Sequence, residues 1–271
     1  MIAMIRNLLP RPIIDRIRVN RTVTPRELAK ANERFVRWRQ ENPNAQLSDY
    51  YAANKKRFLF GSSIHSTIGG ILRSGDFQKA GIEEFDELLD YGLSAEAKCV
   101  DYGCGTLRIG QHVIRYLAPG CYWGMDIDKS FLDVGSGLIG TQLVQNKKPN
   151  LRVITSEAVA EAAASKPGFL FSYKVMQHVH PEELESYLRN VITIIGLHGT
   201  AFISNVKWRD NDMVQYKPMG WAHDFSRISR IVTENGASLE IVKMKSRPLP
   251  LKDAGNAMRG TLKVTRVLSD T

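Results

Sequence analysis

From residue 98 onward, short apolar runs alternate with stretches whose apolar residues recur every three or four positions, the signature of strands alternating with helices. Lys98-Cys99-Val100-Asp101-Tyr102-Gly103-Cys104-Gly105 reads as a buried strand that breaks into a glycine turn. Ile109, His112-Val113 and Tyr116-Leu117 then keep helical spacing until Pro119-Gly120 stops the helix. Residues 121–125 read as a second strand ending at Asp126, and further strands are expected over 151–154, 169–173, 199–205, 239–242 and 261–267. The alternation predicts an α/β fold: a doubly wound, seven-stranded, mostly parallel sheet. No internal repeat or low-complexity tract interrupts it.

The first hundred residues follow a different pattern. Thr24-Pro25-Arg26-Glu27 carries the marks of a helix start, with Thr24 as N-cap, Pro25 at the first helical position and Glu27 closing a capping box. Leu28, Ala31, Phe35 and Trp38 continue an apolar stripe until Pro43. We therefore divide the chain into a basic, mainly helical extension over 1–60, a helical cap over 61–97 and the α/β domain over 98–271. Tyr50, Tyr51 and His65 are candidate pocket residues, core packing being the alternative for the tyrosines.

The glycine turn is the first place to look for a ligand, because glycine admits positive φ and close approach to the backbone while the next helix offers unpaired N–H groups. Asp126, at the tip of the second strand, stands where an α/β nucleotide fold binds a ribose hydroxyl. The turn excludes some ligands. It has no lysine after its last glycine, as a phosphate-gripping loop would, and it lacks the three spaced glycines of a dinucleotide fingerprint. Asp101 instead precedes Gly103 by two, Gly105 follows, and Thr106-Leu107 stands where a third glycine would be expected.

This D-x-G-x-G form resembles the class I S-adenosylmethionine-dependent methyltransferases. Phe77-Gln78, Phe85 to Leu89, Gly92-Leu93, Leu117 to Gly120 and Tyr122 to Asp126 extend the likeness toward a bacterial group associated with glycan and small-molecule modification, over roughly residues 77–268. The resemblance implies S-adenosylmethionine as cofactor. It places Asp101 and the Gly103 and Gly105 backbones along the methionine part, Asp126 on the ribose, and Ser156-Glu157 at an adenine-edge position. With Cys104, Arg108, Ile127 and Tyr173 these complete the expected cofactor set. Leu107, where the wider superfamily has glycine, implies a different grip on the carboxylate end.

Ligands of open α/β sheets lie at the carboxyl ends of the strands, so the segment Lys174 to His180 after the fourth strand is expected to carry chemistry. His178, His180 and His223 are the candidate bases for a hydroxyl acceptor, with a structural role as the competing reading for His178 and His180. Residues 208–224, polar and aromatic, read as a long substrate-covering loop; the alternative is that Trp221 anchors it on the core. No carboxylate cluster calls for a metal.

Charge is uneven. Residues 1–60 hold thirteen Lys/Arg against five Asp/Glu, a surplus of eight within a net charge of +9. Arginines 6, 11, 16 and 18 alternate with apolar residues at near-helical intervals, broken by Pro10 and Pro12. The arm is expected to pack on the domain or on a second subunit of a homodimer; the functional alternative is peripheral contact with an anionic membrane. Nucleic acid is disfavoured, since no RNA-binding motif accompanies the charge. Cys99, Cys104 and Cys121, an odd number without a C-x-x-C pair, read as reduced structural thiols in a cytoplasmic protein. The expected activity is methyl transfer to a small molecule or glycan at oxygen. A lipid or lipid-linked acceptor is the alternative within enzymes, and a non-catalytic S-adenosylmethionine-binding regulatory or scaffold protein the alternative outside them.

Overall fold

The computed structural model describes residues 23–45, 49–50, 53, 77–251 and 254–267 of the 271-residue chain. The arm over 1–22, Tyr51 and the whole segment 54–76, His65 included, lie outside the described residues. The strands are β1 (Cys99–Tyr102), β2 (Tyr122–Asp126), β3 (Asn150–Val153), β4 (Phe169–Tyr173), β5 (Thr200–Arg209), β6 (Val214–Lys217), β7 (Gly220–Asp224), β8 (Ala237–Pro248) and β9 (Asn256–Arg266). The α-helices are α1 (Pro25–Glu41), α2 (Ile82–Asp90), α3 (Gly110–Tyr116), α4 (Lys129–Ile139), α5 (Thr141–Lys147), α6 (Ser156–Ala164), α7 (Leu184–Ile195) and α8 (Phe225–Glu234). No helix among the described residues is long and apolar enough to cross a membrane.

β3, β2, β1, β4 and β5 run parallel in that spatial order, and β9 joins β5 antiparallel with β8 antiparallel outside it. The expected seven strands are all present. Two more come from β6 and β7, which form a hairpin where a loop was expected over 208–224. β7 pairs in parallel with the far end of β5, Trp208 opposite His223 and Arg209 opposite Asp224, on the edge that β4 leaves free after Tyr173. The physical reason is that β5 runs on to Arg209 and exposes backbone groups there that a second strand satisfies.

Strand alternation divides the core between two faces. Val100, Tyr102, Leu170, Ala201 and Ile203 face α6, α7 and α8, while Cys99, Phe169, Phe171, Tyr173 and Phe202 face α2, α3 and α4. Both faces are covered, which is why these strands read as continuous apolar runs. The capping box forms as its residues dictate: Thr24 Oγ1 accepts the Glu27 N–H and Glu27 returns to the Thr24 N–H at 3.0 Å. α1 then lies over the hairpin. Asn32 and Gln215 exchange side-chain hydrogen bonds at 2.9 and 3.0 Å, and Phe35 and Trp38 pack on buried Tyr50, Met219 and Trp221.

Candidate functional site

β1 ends in a turn built on left-handed backbone. Gly103 and Gly105 take φ of 85° and 55°, and Leu107 takes 60°. The third glycine position thus keeps the conformation that glycine favours although leucine occupies it. Its fully buried side chain compensates by filling the space beneath α3 and against Gly135. The Gly103 and Cys104 N–H groups both donate to the Met125 carbonyl, at 2.7 and 3.0 Å, prolonging the β1–β2 ladder into the turn.

Asp126 closes the arrangement. Its Oδ2 accepts the Gly105 N–H at 2.7 Å, and the Ile127 and Asp128 N–H groups face the same carboxylate. Burial pushes its pKa up to about 6 against the pull of these N–H groups. Asp128 in turn caps α4 by accepting the Ser130 N–H at 2.8 Å. Beside Asp126, Ile127 is exposed, and a Cβ on Gly105 would meet open space.

Asp101 lies deeper. It is buried under the turn and accepts the Tyr122 hydroxyl at 2.8 Å; burial raises its pKa to about 8, with the Asp126 charge adding to the rise. It supports the turn from below, and Cys104 likewise points inward against Gly124. Tyr173, at the tip of β4, is buried with a hydroxyl that has no hydrogen-bond partner among the described residues. Such an orphan at a strand end is the kind of group that a ligand satisfies. Ser156 and Glu157 are exposed in the first turn of α6, which Thr155 caps by accepting the Ala158 N–H at 3.1 Å.

Arg108 is engaged by a residue that the sequence did not single out. Glu84 of α2 takes Arg108 at 2.8 Å and Lys174 at 3.0 Å on the same oxygen, tying the helical cap to both the glycine turn and the β4 loop. Burial raises the Glu84 pKa, but the two cations outweigh it and the net shift is downward. Glu84 stands in the acidic run Glu83-Glu84-Phe85-Asp86, which gives no local sign of which carboxylate turns inward.

The three histidines lie together between the β4 loop and the hairpin, and each makes a local tie. His178 Nδ1 donates to the Met219 carbonyl at 2.8 Å, leaving Nε2 to accept from Gln177 at 3.3 Å; burial, then the charge of Lys217, lowers its pKa to about 3. His223 is buried and donates from Nε2 to the Met176 carbonyl at 2.9 Å, with its pKa lowered by burial to about 4. His180 accepts the Glu182 N–H on Nδ1 at 3.2 Å, and its ring lies 5.4 Å from Phe35 and 5.1 Å from Trp221. Trp221 anchors the hairpin on α1 and Tyr50, the reading set against a free substrate loop.

The residues fit an adenosyl ligand at the turn: a carboxylate at the tip of β2 that accepts main-chain N–H groups, an exposed apolar neighbour in Ile127, open space over Gly105 and the orphan Tyr173 hydroxyl. Among the described residues no group of three or more His, Cys, Asp or Glu is placed to hold a metal ion.

No protein-family model matches the sequence, and a comparison with curated proteins finds no match. Solved structures do match. Magnesium protoporphyrin IX methyltransferase from Synechocystis PCC 6803, with bound S-adenosylhomocysteine, is 15% identical over 82% of this chain and 98% of its own, with a TM-score of 0.53. The same enzyme with bound S-adenosylmethionine gives 14% identity over 83% and 99%, with a TM-score of 0.51. The YcgJ protein from Bacillus subtilis is 11% identical over 69% of this chain and 99% of its own, also at 0.51. At these identities the likeness is one of fold, and that fold is the Rossmann-like sheet of the methyltransferases.

Proposed function

We propose that this protein is an S-adenosylmethionine-dependent methyltransferase acting at an oxygen of a small-molecule or glycan acceptor. The observation that carries the reading is the Asp126 carboxylate, held at the tip of β2 against the Gly105 N–H. The solved structures of similar fold that contain S-adenosylmethionine or S-adenosylhomocysteine support the same cofactor.

When bound, the cofactor supplies an already electrophilic sulfonium methyl. The work left to the chain is to hold the nucleoside, align an acceptor and exclude water. Asp126 would take the ribose hydroxyls by charge-assisted hydrogen bonds. Ile127 would cover the base and the glycine turn would lie along the amino-acid end. The Tyr173 hydroxyl would gain the partner it lacks among the described residues.

Acceptor alignment falls to the rim formed by α1, the β4 loop and the hairpin. His178 and His223 spend their N–H groups on main-chain carbonyls and hold this rim together. His180 is only partly buried, and with Nδ1 accepting from Glu182 it carries its proton on Nε2. It would therefore donate to an acceptor oxygen and orient it, rather than remove its proton.

The test is calorimetry of the full chain against S-adenosylmethionine and S-adenosylhomocysteine, followed by transfer of labelled methyl into native extracts. Saturable binding with label appearing in a small molecule or glycan is expected. Absence of binding would overturn the reading, and binding without transfer to any extract would favour the scaffold alternative.

A further inference from the structure

Of the lysines around the sheet, several reach carboxylates: Lys174 meets Glu84, Lys243 meets Glu87 and Lys263 meets Glu240. Lys207 on β5 and Lys217 at the end of β6 do not. Both are half-buried, and neither has an ion pair or a hydrogen-bond partner among the described residues. They converge on one aromatic ring. The Lys207 ammonium stands 3.9 Å from the centre of the Tyr216 ring and that of Lys217 stands 5.7 Å from it.

An aromatic face compensates one ammonium in part, but two ammonium groups on one ring repel each other. Arg259, opposite Lys207 in the β5–β9 register, adds a third positive charge. Burial, then the neighbouring cations, brings Lys207 down to about 8, and burial alone brings Lys217 there. Buried charge without a counter-charge among the described residues is costly, so its retention points to a role in binding an anion. The place is suggestive. The Tyr216 hydroxyl donates to Gln177 at 3.1 Å, and Gln177 contacts His178, so the pair adjoins the β4 loop at the carboxyl end of the sheet, where an acceptor would lie.

We propose that Lys207 and Lys217 form an anion-binding subsite for the methyl acceptor, so that the acceptor carries a carboxylate or a phosphate group. This rests on the methyltransferase reading for its word acceptor, but the anion site itself stands apart from the cofactor turn. The anion would sit between the two ammonium groups and lower their mutual repulsion. Binding at this point would also fix which end of the acceptor faces the glycine turn.

The experiment is a titration of the full chain, labelled at the lysine side chains, with inorganic phosphate in one arm and acetate in the other, followed by NMR. The Lys207 and Lys217 ε signals should move together and saturate, and the arm with the lower Kd identifies the anionic group. Lys217→Met and Lys207→Met should each weaken that binding by about tenfold or more. A Lys207→Arg, Lys217→Arg double variant should keep it, and S-adenosylhomocysteine affinity should be unchanged in all three. Signals that ignore both anions in the wild-type chain overturn the subsite, with no variant needed to decide. Undiminished anion binding in both methionine variants overturns it as well. Failure of the wild-type chain to bind S-adenosylhomocysteine would instead remove the methyltransferase reading and leave the anion titration to stand or fall alone.

Discussion

The Asp126 carboxylate accepts the Gly105 N–H at 2.7 Å, so the tip of the second strand and the turn after the first are joined by a single side-chain contact. The contact fixes the turn and leaves lone pairs of the same carboxylate for a ligand. Asp126→Ala should weaken S-adenosylmethionine binding by roughly 1.5–3 kcal/mol, about tenfold or more, because alanine cannot replace a charge-assisted hydrogen bond. Calorimetry on the folded variant reads this directly, and unchanged affinity would remove Asp126 from the site.

Gly103 admits no side chain. Its φ is 85° and a Cβ there would collide with Val175. Gly103→Val should abolish cofactor binding while circular dichroism keeps most of the helix and strand signal, since the strain falls on the turn and the β4 loop and leaves both core faces intact. Normal binding by a folded variant would place the ligand elsewhere.

Leu107 sets two effects against each other. A left-handed residue other than glycine costs roughly 1–2 kcal/mol, whereas deleting a fully buried leucine side chain costs roughly 3–5 kcal/mol. The second is larger, so Leu107→Gly should destabilise the fold by about 2 kcal/mol despite restoring the residue that the turn geometry favours. Urea denaturation measures the difference, and a more stable variant would show that strain dominates.

Asp101 should make stability fall as pH rises. Burial holds its folded pKa near 8, above the unfolded value near 4, so the folded state keeps a proton that the unfolded state has lost. Its contribution is complete below the unfolded value and disappears as pH rises through about 8. Asp126, raised to about 6, acts in the same direction but lower. His178 and His223, lowered to about 3 and 4, act in the opposite direction, as do Lys207 and Lys217, lowered to about 8. All of these groups are shared by Asp101→Asn, which mimics the protonated acid beside Tyr122, so the difference between the two proteins isolates Asp101. Thermal unfolding should show the Tm of the wild type falling relative to that of Asp101→Asn as pH rises from about 5 to about 8. Parallel curves would refute the assignment.

The succession of strands along the chain and the glycine turn after the first of them can be read from residues close together in sequence. The runs at 99–102, 122–126 and 169–173 are legible because strands covered on both faces leave few polar positions. The Thr24 capping box and the left-handed Gly103 and Gly105 are legible because each depends on residues a few positions apart. What lay further apart was decided by tertiary structure. The loop expected over 208–224 became the β6–β7 hairpin because the extended end of β5 offered it a partner strand. Glu84 gained its place only when α2 brought it to Arg108 and Lys174, twenty-four and ninety residues away. His178 and His223, two of the three histidines expected as bases, met main-chain carbonyls that no local pattern announces. Lys207 and Lys217, ten residues apart in the chain, share one ring because the hairpin folds Tyr216 back against β5. Local sequence fixes what backbone propensity and burial period dictate, while the pairing of charges and hydrogen bonds across the sheet depends on distances that exist only after the chain has closed on itself.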